Sequence, residues 1–158
     1  MICVFDSHSE VDTVQLGRTL AALVVPGLTV ALNGELGAGK TFFVRSLCQG
    51  LGIDTARVNS PTFVLLQLYT DGRIPVAHFD TWRLADADEF LAIGGEEYLN
   101  GDEYLCLVEW ADRISEILPG DRLSVSITQT ASTARRFEFV SSGPVSDDLV
   151  RRLQHRLA

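Results

Sequence analysis

The pattern G-x-x-x-x-G-K-[ST] occurs in this chain as Gly34-Glu35-Leu36-Gly37-Ala38-Gly39-Lys40-Thr41. It follows the apolar run Leu28–Leu32 and precedes a helical pattern that starts at Phe42, which is the strand–loop–helix context of a phosphate-binding loop. Backbone N–H groups and the helix N-terminus would bind the phosphate oxygens of a nucleotide, with residues Gly34 to Phe42 around it. We expect Lys40 to contact the β- and γ-phosphates and the Thr41 hydroxyl to bind Mg²⁺.

Lys40 is the only lysine of the chain, and the other twelve basic residues are arginines. A compact ammonium group fits between two phosphates, whereas a planar guanidinium does not. The guanine-recognition segment N-K-x-D also needs a lysine, so this chain cannot contain it. The sequence therefore favours ATP over GTP.

Two acidic residues end apolar strand patterns. Asp80 follows Val76–Phe79 and Glu109 follows Leu105–Val108. Ligands of an open α/β sheet lie at the carboxyl ends of its strands, so either acid can help to hold Mg²⁺. The alternative is that each caps a following helix, and the sequence leaves open which acid lies nearer the metal.

The segment Ser60-Pro61-Thr62-Phe63 lies between the loop helix and the next strand pattern. A switch segment at this place would carry a hydroxyl, that of Thr62, toward the γ-phosphate and the metal. The alternative is a proline-stiffened start of a strand in which Ser60 makes only local hydrogen bonds.

Length and composition predict one domain over residues 1–158. The chain has 158 residues, 46% hydrophobic and 22% charged, with a net charge of −8, which opposes binding to DNA or to anionic membranes. The three cysteines lack metal-ligand spacing and are interpreted as buried free thiols. Neither a signal peptide nor a membrane span is expected, which predicts a cytoplasmic protein.

Short β-branched runs alternate with helical patterns and predict an α/β fold. We expect a three-layer sandwich, with a mainly parallel central sheet, antiparallel edge strands and helices on both faces. The helices should begin near Ser9, Gly39, Asp86, Ala111 and Ser146. The predicted strands are Ile2–Phe5, Leu28–Asn33, Phe63–Tyr69, Pro75–Phe79, Tyr104–Trp110, Leu123–Thr128 and Arg136–Val140. The acidic segment Gly94–Glu103 is expected to be irregular.

Four motifs in this order resemble the TsaE family of small bacterial P-loop ATPases, which serve in making threonylcarbamoyladenosine in tRNA. The motifs are GELGAGKT (34–41), SPTF (60–63), HFDTWR (78–83) and VEW (108–110). The resemblance spans nearly the whole chain. Trp82 stands where the family usually has Tyr, and Ala111 where Pro is common.

The resemblance implies an ATPase that associates with the TsaB and TsaD proteins, while tRNA lies mainly on these partners. Glu109 is then the second Mg²⁺ ligand beside Thr41, and Asp80 a metal-shell or water-orienting acid. Thr62 provides the switch hydroxyl and Trp110 an aromatic edge of the site. Glu10 and Arg135 are candidates for the adenine side.

Several residues carry competing interpretations. Arg83 either neutralises charge on the γ-phosphoryl group, reaches a partner, or pairs with Asp86 or Asp88. His78 is interpreted as a strand residue with satisfied hydrogen bonds rather than a base, and Trp82 as a core residue. The acidic residues between 86 and 103 form a solvated face or part of a docking surface.

The expected reaction is slow hydrolysis of MgATP, with Lys40 and the loop holding charge and Asp80 or a partner's residue positioning water. Two alternatives remain at this point. One is a small-molecule kinase, which needs an acceptor pocket, and the other is a nucleotide-gated binding module that never hydrolyses ATP.

Overall fold

A computed structural model describes residues 1–158, whose seven strands form one sheet in the order β1-β7-β6-β2-β5-β4-β3. The strands are β1 Ile2–Ser7, β2 Thr29–Asn33, β3 Leu66–Tyr69, β4 Val76–Asp80, β5 Leu105–Glu109, β6 Leu123–Gln129 and β7 Arg135–Ser141. The helices are α1 Glu10–Ala21, α2 Lys40–Gly50, α3 Ala87–Ala92, α4 Gly95–Leu99 and α5 Pro144–Leu157, with 3₁₀ segments at Thr55–Arg57 and Ala111–Ile117.

The four central strands β6, β2, β5 and β4 are parallel, and the outer strands are antiparallel. β3 pairs with β4 at one edge, and β7 and β1 extend the other. This arrangement confirms the predicted mainly parallel sheet with antiparallel edges. It also brings the carboxyl ends of β2, β5 and β4 side by side, which is where a ligand site is expected.

Alternate residues of the central strands face two separate hydrophobic clusters. On β5, Leu105 and Leu107 belong to the cluster that packs under α1, α2 and α5. Cys106 and Val108 face the opposite cluster, which includes Phe90 of α3. Helical layers therefore cover both faces, as strands apolar on both sides require. All three cysteines are buried free thiols, and no helix is both long and apolar enough to cross a membrane.

The predicted strand Phe63–Tyr69 is wrong in its first half, because β3 begins only at Leu66. Leu65 takes a left-handed conformation with φ of 68°, and its N–H donates to the Pro61 carbonyl at 2.6 Å. Phe63 is 81% exposed although its type favours a strand. A turn closed by backbone and side-chain hydrogen bonds here overrides strand propensity.

Two other expectations need correction. Gly94–Glu103 is not wholly irregular: Gly94, at φ of 79°, precedes the five-residue helix α4. The helix predicted from Ala111 is a 3₁₀ segment that kinks at Ile114. A helical pattern of five to seven residues is too short to produce a reliable period in the sequence. The first helix does begin at Ser9, whose hydroxyl accepts from the Asp12 N–H at 3.1 Å.

Helix α1 crosses α2 at Gly17, and this contact supports the layer under the phosphate-binding loop. A Cβ at Gly17 would lie 2.5 Å from the Ser46 Cβ and 2.9 Å from the Leu47 backbone nitrogen. We expect Gly17→Ala to lower the free energy of unfolding by roughly 1–3 kcal/mol, as overpacking does in close-packed cores. Gly120→Ala is the matched control because nothing lies within 4 Å of a Cβ there. Equal urea midpoints for both variants would contradict this account of the helix contact.

Candidate nucleotide and magnesium site

The loop between β2 and α2 depends on glycine at three of its positions. Gly37 and Gly39 take φ of 81° and 105°, in the left-handed region where side chains are strained. At Gly34 a Cβ would lie 2.7 Å from the Ile127 carbonyl oxygen of the neighbouring strand β6. The loop thus bends sharply and packs directly on the sheet, so that α2 starts at Lys40 with its N-terminus toward the cavity above.

Lys40 is almost completely buried, with 5% of its surface exposed. Its ammonium donates to the carbonyls of Gly34 at 2.6 Å and Glu35 at 3.0 Å, and it lies 3.8 Å from the ring centre of Trp110. Burial lowers the pKa of Lys40, and the nearby carboxylates of Glu109 and Asp80 oppose that shift. The site therefore holds a desolvated cation that gains from negative ligand oxygens.

Thr41 and Glu109 are joined by a hydrogen bond of 2.8 Å from the Thr41 hydroxyl to Glu109 Oε1. Glu109 ends β5 and is 2% exposed. Directly after it, Trp110 takes a left-handed conformation with φ of 58°, so the chain leaves the sheet at once. The carboxylate of Glu109 remains at the strand end beside the start of α2.

Asp80 ends β4 in register with Glu109 on the neighbouring parallel strand, so the two side chains are on the same face of the sheet. Its Oδ2 accepts from the hydroxyls of Ser60 at 2.7 Å and Thr62 at 2.8 Å. Its Oδ1 accepts from the Trp82 N–H at 2.9 Å. The segment 60–62 is therefore tied to Asp80, which is more than the local bonding weighed for Ser60.

The two tryptophans form one wall of the site. Their ring centres lie 4.3 Å apart, and the Arg113 guanidinium lies 4.8 Å from the Trp82 ring centre. The interpretation of Trp82 as a core residue is wrong, because it is 40% exposed and stacks on Trp110 over the cavity. An aromatic type alone does not distinguish a core ring from the wall of a pocket.

These groups line one cavity of about 460 Å³, large enough for a triphosphate and its metal. It brings together most of the residues that the sequence predicted for the site: Leu36, Gly37, Gly39, Lys40, Thr41, Phe42, Thr62, Asp80, Glu109 and Trp110. Ser60 and Trp82 complete the lining. Gly34, Glu35 and Ala38 lie on the neighbouring side of the loop, beside β6.

Arg83 does not line this cavity. Its guanidinium lies 4.2 Å from the ring centre of Phe63, and it forms no ion pair with Asp86 or Asp88. Both acids are exposed, as are the other acidic residues up to Glu103. In this conformation Arg83 covers the exposed turn of the segment 60–65 rather than the phosphate loop.

Glu10 and Arg135 line a second, smaller cavity of about 170 Å³. It shares Gly39 and Phe42 with the main cavity, so the two adjoin across the start of α2. The Arg135 Nε donates to the Ala38 carbonyl at 2.9 Å and fixes the outer side of the loop. That Glu10 and Arg135 contact adenine stays a prediction.

His78 is an interior neighbour of the site. It is wholly buried on β4, with Nδ1 3.0 Å from the Tyr69 hydroxyl and Nε2 2.5 Å from Glu109 Oε2. Both ring nitrogens have partners, in agreement with the interpretation as a satisfied strand residue. No pattern in the sequence indicates that one partner is Glu109, although the spacing of His78 and Asp80 places both on one face of a strand.

Comparison with known proteins identifies a family. The family model described as "Threonylcarbamoyl adenosine biosynthesis protein TsaE" matches residues 7–137. The tRNA threonylcarbamoyladenosine biosynthesis protein TsaE of Bacillus subtilis is 41% identical over 132 residues, covering 84% of this chain and 81% of the relative. The protein of the same name from Treponema pallidum is 39% identical over 135 residues, covering 85% and 96%.

A solved structure agrees with the sequence comparison. The crystal structure of YdiB from Bacillus subtilis superposes with a TM-score of 0.81 at 30% identity. The match covers 100% of this chain and 97% of that chain, so it includes every strand of the sheet as well as the phosphate-binding loop.

The hydroxyls of Ser60 and Thr62 donate two of the hydrogen bonds that Asp80 accepts. Their removal should therefore loosen the segment 60–65. Thr62→Ala combined with Ser60→Ala leaves the carboxylate only the Trp82 N–H among these three donors. Hydrogen bonds to charged groups contribute roughly 1.5–3 kcal/mol, and partial exposure places these at the lower end. We expect a lower free energy of unfolding and faster hydrogen exchange at the Leu65 amide.

The control is Thr19→Ala, because the Thr19 hydroxyl is exposed and bonds only to the Gln15 carbonyl of its own helix. If the Leu65 amide exchanges at the same rate in the double variant and in Thr19→Ala, Asp80 does not anchor the segment 60–65.

Proposed function

The chain belongs to the TsaE family of threonylcarbamoyl adenosine biosynthesis proteins, and from this we propose that it binds and hydrolyses MgATP in the modification of tRNA. The observation that carries the proposal is the meeting of one buried ammonium, one hydroxyl and two buried carboxylates in a single cavity at the strand ends: Lys40, Thr41, Asp80 and Glu109. Each of these types has a defined task in phosphoryl transfer.

The phosphates of ATP would take the place of backbone carbonyls around Lys40. The Gly34 and Glu35 carbonyls now accept from its ammonium. Phosphate oxygens carry full negative charge, and in a desolvated site such charge interacts more strongly with the ammonium than a carbonyl dipole does. The N-terminus of the 11-residue helix α2 adds favourable potential.

The residues present fit a magnesium ion. Asp80 and Glu109 are each 2% exposed and neither pairs with a lysine or arginine, so the buried oxygens suit a hard cation. Thr41 and Glu109 would hold the ion, with Asp80 in its outer shell. Bound Mg²⁺ would neutralise charge on the phosphate oxygens.

Hydrolysis in this proposal transfers the γ-phosphoryl group to water. Asp80 accepts from the water and orients it, while the loop N–H groups and Lys40 stabilise the charge of the transferring group. Thr62, now bonded to Asp80, would carry its hydroxyl toward the γ-phosphate when the segment 60–65 rearranges.

Turnover of the isolated protein should be slow. No arginine lines the main cavity, and Arg83 is turned to Phe63. An arginine supplied by a partner can raise such a rate by ~10³–10⁵. We therefore propose that the TsaB and TsaD proteins associate with this chain and stimulate it, and that tRNA contacts it only through them. The net charge of −8 favours this division.

Substitutions of Lys40 and of Glu109 should separate ATP binding itself from the dependence of ATP binding on Mg²⁺. Lys40→Ala removes the only cation in the phosphate loop, so we expect ATP affinity to fall at least ~100-fold with or without Mg²⁺. Glu109→Gln keeps the size of the side chain but not its charge, so ATP should bind in EDTA as before and gain little from added Mg²⁺. Calorimetric titration measures both, and Thr19→Ala is the control. Unchanged ATP affinity of Lys40→Ala would contradict the site assignment.

Phosphate release separates this proposal from its alternatives. We expect slow release of inorganic phosphate from MgATP with no added acceptor, and a faster rate with TsaB and TsaD present. A kinase would release none without its acceptor, and a non-hydrolysing module would release none in a single turnover within the complex. A rate that the partners leave unchanged would contradict the proposed stimulation.

A further inference from the structure

A buried chain of hydrogen bonds reaches the proposed magnesium ligand from inside the sheet. It runs from the Tyr69 hydroxyl to His78 Nδ1 at 3.0 Å, and from His78 Nε2 to Glu109 Oε2 at 2.5 Å. The other carboxylate oxygen of Glu109 accepts from Thr41 at 2.8 Å. Three neighbouring strands, β3, β4 and β5, contribute one side chain each.

The donors and acceptors of this chain have a definite order. Burial raises the pKa of Tyr69 to about 12, so the phenol keeps its proton at neutral pH. When the phenol donates to Nδ1, the imidazole carries its own proton on Nε2, which then donates to Glu109. The carboxylate thus receives a hydrogen bond on Oε2, away from Thr41.

The backbone of Glu109 is held independently of this chain. Its carbonyl accepts from the Thr81 hydroxyl at 3.0 Å and from the Thr81 N–H at 3.2 Å. The remaining freedom of Glu109 is in its side-chain torsions, which a flexible glutamate otherwise samples. A single bond from Thr41 leaves the carboxylate free to rotate about that contact, whereas two bonds on opposite oxygens fix its plane.

We propose that Tyr69 and His78 are positioning residues that hold the Glu109 carboxylate in the orientation from which it binds Mg²⁺. The inference rests on the proposed function, because it assigns a role toward the same metal. Partners behind a metal ligand commonly contribute 10–100-fold to metal affinity, since they fix the ligand before the ion arrives. Neither residue lines the cavity, so both would act only through Glu109.

The test uses two substitutions of His78 that keep different halves of the imidazole. His78→Gln places an amide nitrogen near the position of Nε2 and can still donate to Glu109. His78→Asn places its amide near Nδ1 and cannot reach Glu109. Tyr69→Phe removes only the hydroxyl that orders the chain, and keeps the test open if a His78 variant fails to fold.

The measurement is the ratio of ATP dissociation constants in excess EDTA and in Mg²⁺, obtained by calorimetry on the full chain. We expect His78→Asn to reduce this ratio ~10–100-fold with the EDTA value unchanged. His78→Gln should retain most of the ratio of the unaltered protein, and Tyr69→Phe should reduce the ratio less than His78→Asn does. Ser146→Ala is the control: it removes a buried hydroxyl bonded to Asp121, far from the site, and should leave the ratio unchanged.

Three results would overturn the inference. The first is an equal ratio for the Asn and Gln variants. The second is a loss of ATP affinity in EDTA as large as the loss in Mg²⁺, and the third is a reduced ratio in Ser146→Ala. Either of these two results would indicate general destabilisation. If the unaltered protein itself shows no Mg²⁺-dependent ATP binding, the proposed function fails and takes this inference with it. If the unaltered protein and the His78 and Tyr69 variants all show the same Mg²⁺-dependent ATP binding, only the positioning role is contradicted.

Discussion

An ammonium and two carboxylates lie buried within one cavity, and the rest of the structure serves to keep them there. Lys40 is 5% exposed and Asp80 and Glu109 are 2% exposed each. Isolated burial of any of them would be strongly unfavourable. Hydroxyls, backbone carbonyls and one imidazole compensate each charge in part, without neutralising any by a lysine–carboxylate or arginine–carboxylate pair. The folded site is therefore stable, and binding of a triphosphate and a divalent cation would compensate its buried charges further.

The order of the sheet creates this meeting. Strands β4 and β5 are adjacent and parallel, so Asp80 and Glu109 end in register, and β2 on the other side of β5 delivers the phosphate loop. The antiparallel strands β3 and β7 do not line the main cavity but lie next to it. β3 carries Tyr69, which bonds to His78 behind the site, and β7 carries Arg135, which lines the smaller cavity. One topology thus places the groups that we propose for the metal, the phosphates and adenine at the ends of separate strands.

The positive potential of the cavity in this acidic protein has local sources. The chain carries −8 overall, and its exposed acidic residues are spread over the surface, with one group of them around α3 and α4. One lysine, the amides of the loop and the start of α2 supply the positive potential within the cavity. Such a surface opposes direct contact with tRNA phosphates, which agrees with the proposal that tRNA is contacted only through partner proteins.

The sequence determined whatever depends on local pattern. The loop Gly34–Thr41 could be identified from residue types alone, because glycines, a lysine and a hydroxyl at fixed spacing have few other uses. The parallel core followed from runs such as Leu105–Val108, which are apolar on both faces. Only the tertiary structure decided where Arg83 and Trp82 point and that His78 reaches Glu109. Those contacts join residues 20 to 31 positions apart in different segments of the chain, and no periodicity along the chain encodes such pairings.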